Sequence, residues 1–442
     1  MEGRRRVLAE RLIAEGDARD AIVRLHIMAT HSTNTTSGDQ RELTSPWFLL
    51  GPAFVAAIAY VDPGNVAANV SSGAQYGYLL LWVIVVANIL AGLVQYLSAK
   101  LGLATGQSLP AAIGARISSR ARVAFWLQAE LVALATDVAE VIGGAIALHI
   151  LFNLPLVIGG LITGIVAMLL LTIQDQRGQI IFERVIAGLL LIIGIGFAAS
   201  FFVATPPPGD VFSGLVPRFR GTESVLLAAA ILGATVMPHA VYMHSGLALD
   251  RHGHVPPGAL RRRLLLASRL DVVLAMALAG TVNAALLLLA AANLQNQSVD
   301  SSIEGAYAAI HSTLGPTIAL LFALGLLASG LASSSVGAYA GAMIMDGLLH
   351  RSVPIVIRRL VTLCPALAIL ALGADPTRTL VLSQVVLSFG IPFAVLPLIK
   401  LTSNRSLMGA DVNHRVTTML GWAVAALVCV LNVVLIVLTF TG

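Results

Sequence analysis

Charged residues are scarce in this chain. Only 11% of its 442 residues are charged and 57% are hydrophobic, whereas soluble domains carry about 25% charged residues. The mean hydropathy is +0.88, which leaves too little polar surface to cover a soluble fold. The composition therefore excludes a soluble protein and predicts a multi-pass membrane protein whose surroundings are the lipid bilayer.

Cysteine is nearly absent as well. The chain has 2 cysteines, Cys364 and Cys429, and both lie in apolar runs. This excludes a disulfide framework and a cysteine metal site. An HExxH motif is missing too, which argues against an intramembrane metalloprotease. We expect a protein that is not an enzyme and holds no permanently bound cofactor.

The first 45 residues form the one polar region. Seven arginines fall there among Ser, Thr, Asn and Gly, without the uninterrupted apolar core of a secretory signal. The pattern predicts a soluble, mostly disordered cytoplasmic tail over 1–45, followed by a membrane domain over 46–442. Residues 7–27 also allow a short amphipathic helix at the membrane surface, and Met28 is an alternative start.

Long apolar runs fill the rest of the chain. A helix needs about 20 residues to cross the hydrocarbon layer, and eleven runs qualify. They are 47–71, 79–103, 124–152, 156–173, 180–204, 224–249, 264–292, 316–346, 353–372, 380–401 and 416–438. We number these spans one to eleven.

The basic residues give the orientation. If the N-terminus is cytoplasmic, all but three of the 27 Lys and Arg residues fall on the cytoplasmic side, and the exceptions are Arg218, Arg220 and Arg378. Cytoplasmic loops of membrane proteins carry this excess. The pattern predicts a cytoplasmic N-terminus and an external C-terminus. The pI near 9.5 then reports topology, and no nucleic-acid partner is expected.

Two spans contain helix breakers. Asp62-Pro-Gly-Asn65 interrupts span one and should free the Ala59 carbonyl, because Pro63 has no amide hydrogen. Pro238 interrupts span six and should free a carbonyl near Ala234. Two breaks five spans apart are typical of an inverted repeat, spans one to five against six to ten, with a ligand site between the breaks. The alternative is an exposed turn where span one ends early.

The breaks carry metal-binding chemistry. Asp62 supplies a charged oxygen, Asn65 and two carbonyls supply neutral oxygens, and Met237 supplies a thioether. Thioether sulfur suits a transition metal such as Mn²⁺ or Fe²⁺ better than Ca²⁺ or Mg²⁺. The alternatives are that Met237 fills the core and that His239 and Gln384 form hydrogen bonds between helices.

Span three carries three carboxylates. Glu130 and Asp137 lie within about 20° of each other around a helix and Glu140 about 60° further, over about 15 Å of its length. A row of buried carboxylates indicates a proton route. The alternative is a set of buried salt bridges, to Arg358 or Arg359, and the two interpretations are compatible.

The DPGN and MPH motifs, at 62–65 and 237–239, resemble the two signatures of the Nramp family of divalent-metal transporters. The stretches AELVALATDVAE in span three and LSQVVLSFGIPFAVLPL in span ten extend the resemblance. The bacterial proton-coupled manganese transporters are the most similar branch. The resemblance implies an all-α polytopic membrane protein with a LeuT-like fold, a 5+5 inverted repeat plus an eleventh helix, in which helices 1 and 6 are broken.

The resemblance also assigns residues. The implied metal ligands are Asp62, Asn65, Met237, the carbonyls of Ala59 and Ala234, and in some conformations Gln384. The implied proton pathway comprises Asp62, His239, His244, Asp137, Glu140, Glu130, Arg358 and Arg359.

The function expected from the sequence is proton-coupled symport of Mn²⁺ and Fe²⁺ into the cytoplasm across the cell membrane, by alternating access and without need of an oligomer. Met237 argues against a magnesium-transporting relative. One alternative is a sodium-coupled amino-acid symporter of the same fold, whose substrate carboxylate Asp62 would repel. An ion channel is another.

Overall fold

The computed structural model describes residues 59–177, 207–295, 302–351 and 353–441, together with Pro52, Ala53, Ala56 and Gly188. The predicted tail over 1–45, the start of span one and all of span five except Gly188 lie outside the described residues. Every other predicted span is helical where the structure describes it, and no strand occurs in these ranges.

The unbroken spans are long helices. Their bounds are Leu81–Thr105 for span two, Ser119–Phe152 for three, Leu156–Arg177 for four, Ala259–Asn293 for seven, Pro316–Leu349 for eight, Ile355–Ala371 for nine, Pro376–Thr402 for ten and Arg415–Thr441 for eleven. Short helices connect them at Leu109–Gly114, Pro208–Gly214, Ile303–Leu314 and Arg405–Met408, and a 3₁₀ turn follows at Gly409–Asp411.

Seven helices of the described part are long and apolar enough to cross a membrane, when the two halves of span six are taken together. Large apolar side chains such as Ile89, Leu266 and Met419 are exposed along them. In water this surface would be unstable, but in lipid it has no such cost. The chain is therefore a multi-pass membrane protein.

Spans one and six are broken where the sequence predicts. Span one consists of a 3₁₀ turn at Ala59–Val61 and a helix over Pro63–Tyr76, and span six consists of helices over Gly221–Thr235 and Pro238–His252. In both spans the helix restarts at a proline, whose missing amide hydrogen has no cost in the first turn. Asp62 has extended backbone angles and caps the new helix by accepting the Asn65 amide.

The two broken spans lie in the core of the bundle. The Pro63–Tyr76 helix packs against spans seven and ten and the first half of span six, and the Pro238–His252 helix packs against spans two, eight and ten. Every residue of Pro63–Gly73 is buried. The packing therefore places the Asp62 break inside the protein, which rules out an exposed turn.

Candidate functional site

Asp62 is the central residue of the site. Its side chain is fully buried. One carboxylate oxygen accepts from the backbone amide of Asn65 at 2.9 Å and from Asn65 Nδ2 at 3.0 Å, and the other faces Gln384 Nε2 at 3.4 Å. No described cationic side chain pairs with it. A buried carboxylate without a counter-ion is costly inside a membrane and marks a place for a cation.

Asn65 joins the two breaks. Its Nδ2 also donates to the carbonyl of Ala234 at 2.8 Å. That carbonyl is free because the residue four positions later is Pro238. The contact brings the break of span one against the break of span six. Met237, fully buried, caps the second half of span six at the same break.

Two amide oxygens near Asp62 lack donors. Asn65 Oδ1 and Gln384 Oε1 are buried and accept no hydrogen bond. Buried acceptors are normally paired, so each unpaired one requires an explanation. Both amides turn their nitrogens toward Asp62, so a rotation of each amide would bring these oxygens beside the carboxylate as a donor set suited to a hard or borderline cation. The described residues contain no group of three or more His, Cys, Asp or Glu that could hold a metal, so the donor set is one carboxylate supplemented by neutral groups.

Gly64 allows Gln384 to approach Asp62. A Cβ atom at Gly64 would overlap the Gln384 side-chain amide. The amide can reach the break only because this position has no side chain. Gly233, in span six, has the same role toward the backbone of span ten at Gln384.

Side chains of spans seven and eight donate hydrogen bonds to the backbone carbonyls that precede Asp62 in the break. Asn283 Nδ2 donates to the Tyr60 carbonyl at 2.8 Å, and the Ser329 hydroxyl donates to the Val61 carbonyl. No described side chain donates to the Ala59 carbonyl. Sequence reasoning missed Asn283 and Ser329, although both are polar residues in otherwise apolar runs.

The carboxylates of span three pair with arginines of span nine. Arg359 forms ion pairs with Asp137 and, at 3.5 Å, with Glu140, and it donates to the Ser334 hydroxyl. Arg358 Nη2 contacts both oxygens of Glu130, at 3.0 and 3.1 Å. The salt bridges predicted as one alternative are therefore present, buried for Arg359 and partly buried for Arg358. Two carboxylates share the single Arg359 guanidinium.

The structure separates the two histidines. His239 Nδ1 lies 3.5 Å from the hydroxyl of Thr136, the residue before Asp137 in span three. His244 Nδ1 lies 2.7 Å from Gln95 Oε1, and Gln95 Nε2 donates to the Tyr60 hydroxyl. His244 therefore faces span two, away from the carboxylates of span three. Gln95 and Thr136 were not singled out from the sequence.

A comparison with protein-family models matches residues 53–438 to the Nramp, or natural resistance-associated macrophage protein-like, family. The chain belongs to the Nramp family. A Nramp relative from Mycobacterium leprae, named divalent metal cation transporter MntH, is 73% identical over 403 residues, which are 91% of this chain and 95% of the relative.

Solved structures confirm the fold of this Nramp protein. The manganese transporter of Eremococcus coleocola, solved with an aromatic bis-isothiourea compound, has a TM-score of 0.79 and 30% identity, and the match covers 91% of this chain and 88% of that one. Mhp1, a nucleobase-cation-symport-1 family transporter, has a TM-score of 0.57 at 16% identity, covering 87% and 90%, and supports the fold alone. The predicted LeuT-like fold with broken helices 1 and 6 is confirmed.

Proposed function

We propose that this Nramp protein is a proton-coupled secondary transporter that carries Mn²⁺ and Fe²⁺ into the cytoplasm by alternating access. The observation that carries the proposal is the fully buried Asp62 carboxylate, which has no described cation and lies beside two unpaired amide oxygens where both helix breaks meet. The names of the Mycobacterium leprae and Eremococcus coleocola relatives, a divalent metal cation transporter and a manganese transporter, support it.

The transported metal would bind to Asp62, Asn65, Met237, Gln384 and the carbonyls of Ala59 and Ala234. In this structure the Ala234 carbonyl accepts Asn65 Nδ2. A half-turn of the Asn65 amide would withdraw that donor and present its oxygen in the same direction. Metal entry and this amide rotation would then occur together. Met237 sulfur would favour a transition metal over Ca²⁺ and Mg²⁺.

Protons would reach the span three carboxylates from Asp62. His239 lies beside Thr136 on this route, and Asp137 would receive the proton, with Glu140 sharing it. Two carboxylates against one Arg359 leave a net negative charge in a buried cluster. Binding one proton makes the cluster neutral, which a membrane interior favours. The Glu130–Arg358 pair would continue the route, and His244 would act through Gln95 and Tyr60.

The membrane arrangement is also proposed. The N-terminus would be cytoplasmic and the C-terminus external, with a tail over 1–45 and a transporter domain over 46–442 that works without an oligomer. Arginines and lysines in the connecting segments support this orientation.

Uptake of Mn²⁺ into proteoliposomes tests the transport proposal. Asp62→Ala should reduce uptake to the level of empty liposomes, whereas Asp210→Asn, which changes an exposed carboxylate in a connecting segment, should leave it unchanged. Full uptake by Asp62→Ala would refute the proposed site. Inhibition by Fe²⁺ but not by amino acids separates metal transport from amino-acid symport.

Proton coupling requires a second measurement. A pH-sensitive dye inside the liposomes should report acidification that accompanies Mn²⁺ entry. Asp137→Asn should reduce the acidification more than the metal flux, because it removes the proposed proton acceptor without touching Asp62. Equal losses of both fluxes would contradict this role for Asp137.

A further inference from the structure

A groove on the lipid-facing surface has no part in the proposed transport site. It has a volume of about 630 Å³ and lies between the end of the Leu109–Gly114 helix, the start of span three, the last turns of span ten and span eleven. Phe125, Phe393, Leu396 and Trp422 line its walls. Since these elements face the bilayer, the groove opens toward lipid.

Two basic side chains line the groove. Arg116 and Lys400 line it, and both are exposed. Arg116 donates to the Ala112 carbonyl at 2.7 Å, which leaves the rest of its guanidinium free of described partners. Neither side chain forms an ion pair with a described residue, and no acidic side chain lines the groove. The groove is therefore lined by apolar side chains and by two cations that have no described counter-ion.

We propose that this groove binds one anionic phospholipid, with an acyl chain between Phe393 and Trp422 and the phosphate against Arg116 and Lys400. Basic pockets between membrane helices bind anionic headgroups, and each Lys or Arg near the surface favours an anionic lipid by a factor of about five. The chain's own polar tail is a poor occupant, because its seven arginines are balanced by seven Asp and Glu residues and it offers the two cations no net negative charge.

A second groove is also lined by two basic residues and no acidic one. It has a volume of about 550 Å³ and is lined by Lys100 and Arg269 among residues of spans two and seven and the start of span eleven. Lys100 Nζ already donates to Asn413 Oδ1 at 3.0 Å. No tryptophan lines this second groove, so Trp422 fluorescence reports on the first groove alone.

Quenching of Trp422 by brominated lipids tests the proposal. Trp47, Trp82 and Trp126 are replaced by Phe, which leaves Trp422 as the one remaining tryptophan of the 4. The protein is reconstituted with brominated phosphatidylglycerol or brominated phosphatidylcholine. We expect phosphatidylglycerol to be preferred by roughly five- to thirtyfold at low ionic strength, and the preference to decrease as salt screens the charges.

Variants of the groove residues test whether Arg116 and Lys400 cause the preference for phosphatidylglycerol. Arg116→Gln with Lys400→Gln should abolish it, whereas Arg120→Gln, which removes an exposed arginine outside the groove, should not. Leu396→Phe should weaken the preference by filling the cleft, while it keeps both charges and adds no tryptophan. If the triple tryptophan replacement does not fold, the difference between the unmodified protein and Trp422→Phe gives the same quantity.

Three results would overturn the proposal. They are equal quenching by the two lipids, a preference that survives in the double Gln variant, and displacement of the brominated lipid by soluble glycerol phosphate as complete as by phosphatidylglycerol. The last would mean that free phosphate, and not a lipid, is the ligand. None of these outcomes depends on metal transport, so the proposal stands or fails separately from the proposed function.

Discussion

Asp62, Asn65 and Gln384 show how single side chains create the site. Asn65 uses both amide hydrogens, one toward Asp62 Oδ1 and one toward the Ala234 carbonyl, so its oxygen is left without a donor. Gln384 turns its nitrogen toward Asp62 Oδ2 and also leaves its oxygen unpaired. The two amides thus hold the carboxylate through their nitrogens, and rotation of the amides would turn their unpaired oxygens toward a cation.

Gly64→Ala should impair metal binding. The added Cβ would overlap the Gln384 amide, and the side chain would have to leave Asp62. We expect the apparent KM for Mn²⁺ uptake to rise at least tenfold. Gly92→Ala is the matched control, because a Cβ there meets only Met276 Cγ at 3.8 Å. Equal effects of the two substitutions would mean that the Gln384 position is not important.

Met237→Ala should weaken discrimination against Ca²⁺ and Mg²⁺. Removing the thioether leaves only oxygen donors, which alkaline-earth ions accept. The measurement is inhibition of Mn²⁺ uptake by Ca²⁺, and the inhibition should become stronger. Met243→Ala, which removes another fully buried thioether from the same helix, should not change it. Unchanged selectivity in Met237→Ala would show that the sulfur is not a ligand.

At the scale of helices, prolines connect the elements. Each of three prolines frees the carbonyl four residues before it, and a side chain from another helix donates to that carbonyl. Pro238 frees Ala234 for Asn65, Pro392 frees Ser388 for Asn432, and Pro397 frees Phe393 for Tyr242. The last two contacts tie span ten to span eleven and to the second half of span six. A carbonyl that loses its partner within one helix thus accepts a hydrogen bond from a neighbouring helix.

Asn432→Leu should destabilise the protein by about 1–3 kcal/mol, because the Ser388 carbonyl would be buried without a donor. In a Pro392→Ala background the effect should be smaller, since the restored amide at position 392 can pair with that carbonyl. Thermal unfolding in detergent of the four proteins of this cycle measures both effects. Strictly additive effects would contradict the assigned contact.

At the scale of the whole molecule, the fold places two distant segments together. Asn65 and Ala234 are 169 positions apart in the chain and lie in hydrogen-bond contact. The carboxylates of span three meet arginines of span nine in the same way. The proposed metal site and the paired carboxylates of span three therefore depend on the packed bundle and on no single helix.

The proposed orientation predicts opposite labelling of two exposed positions. Ser213→Cys, in the segment before span six, should react with an impermeant maleimide from outside, and Ala410→Cys, between spans ten and eleven, only after the membrane is opened. Both positions are exposed. Cys364 and Cys429 are first replaced by Ala. Labelling of both positions from one side would contradict the odd number of spans between them.

Much of this could be predicted from the sequence. The apolar runs gave the spans because a helix in lipid must be long and uncharged. Pro63 and Pro238 gave the breaks because proline cannot continue the hydrogen-bond ladder. Spans three and seven begin earlier than predicted, at Ser119 and Ala259 rather than at 124 and 264. The arginines near these starts interrupt the apolar run without ending the helix.

The sequence by itself determined the class of protein, the two breaks and the residue types at each, because these follow from local covalent chemistry and from solubility in lipid. Only the tertiary structure decided that Asn65 reaches Ala234, that Gln384 faces Asp62 across Gly64, and that His244 points to Gln95 rather than to the carboxylates. These contacts depend on how the helices pack. Packing is set by the shapes of many side chains together, and no local pattern in the chain records it.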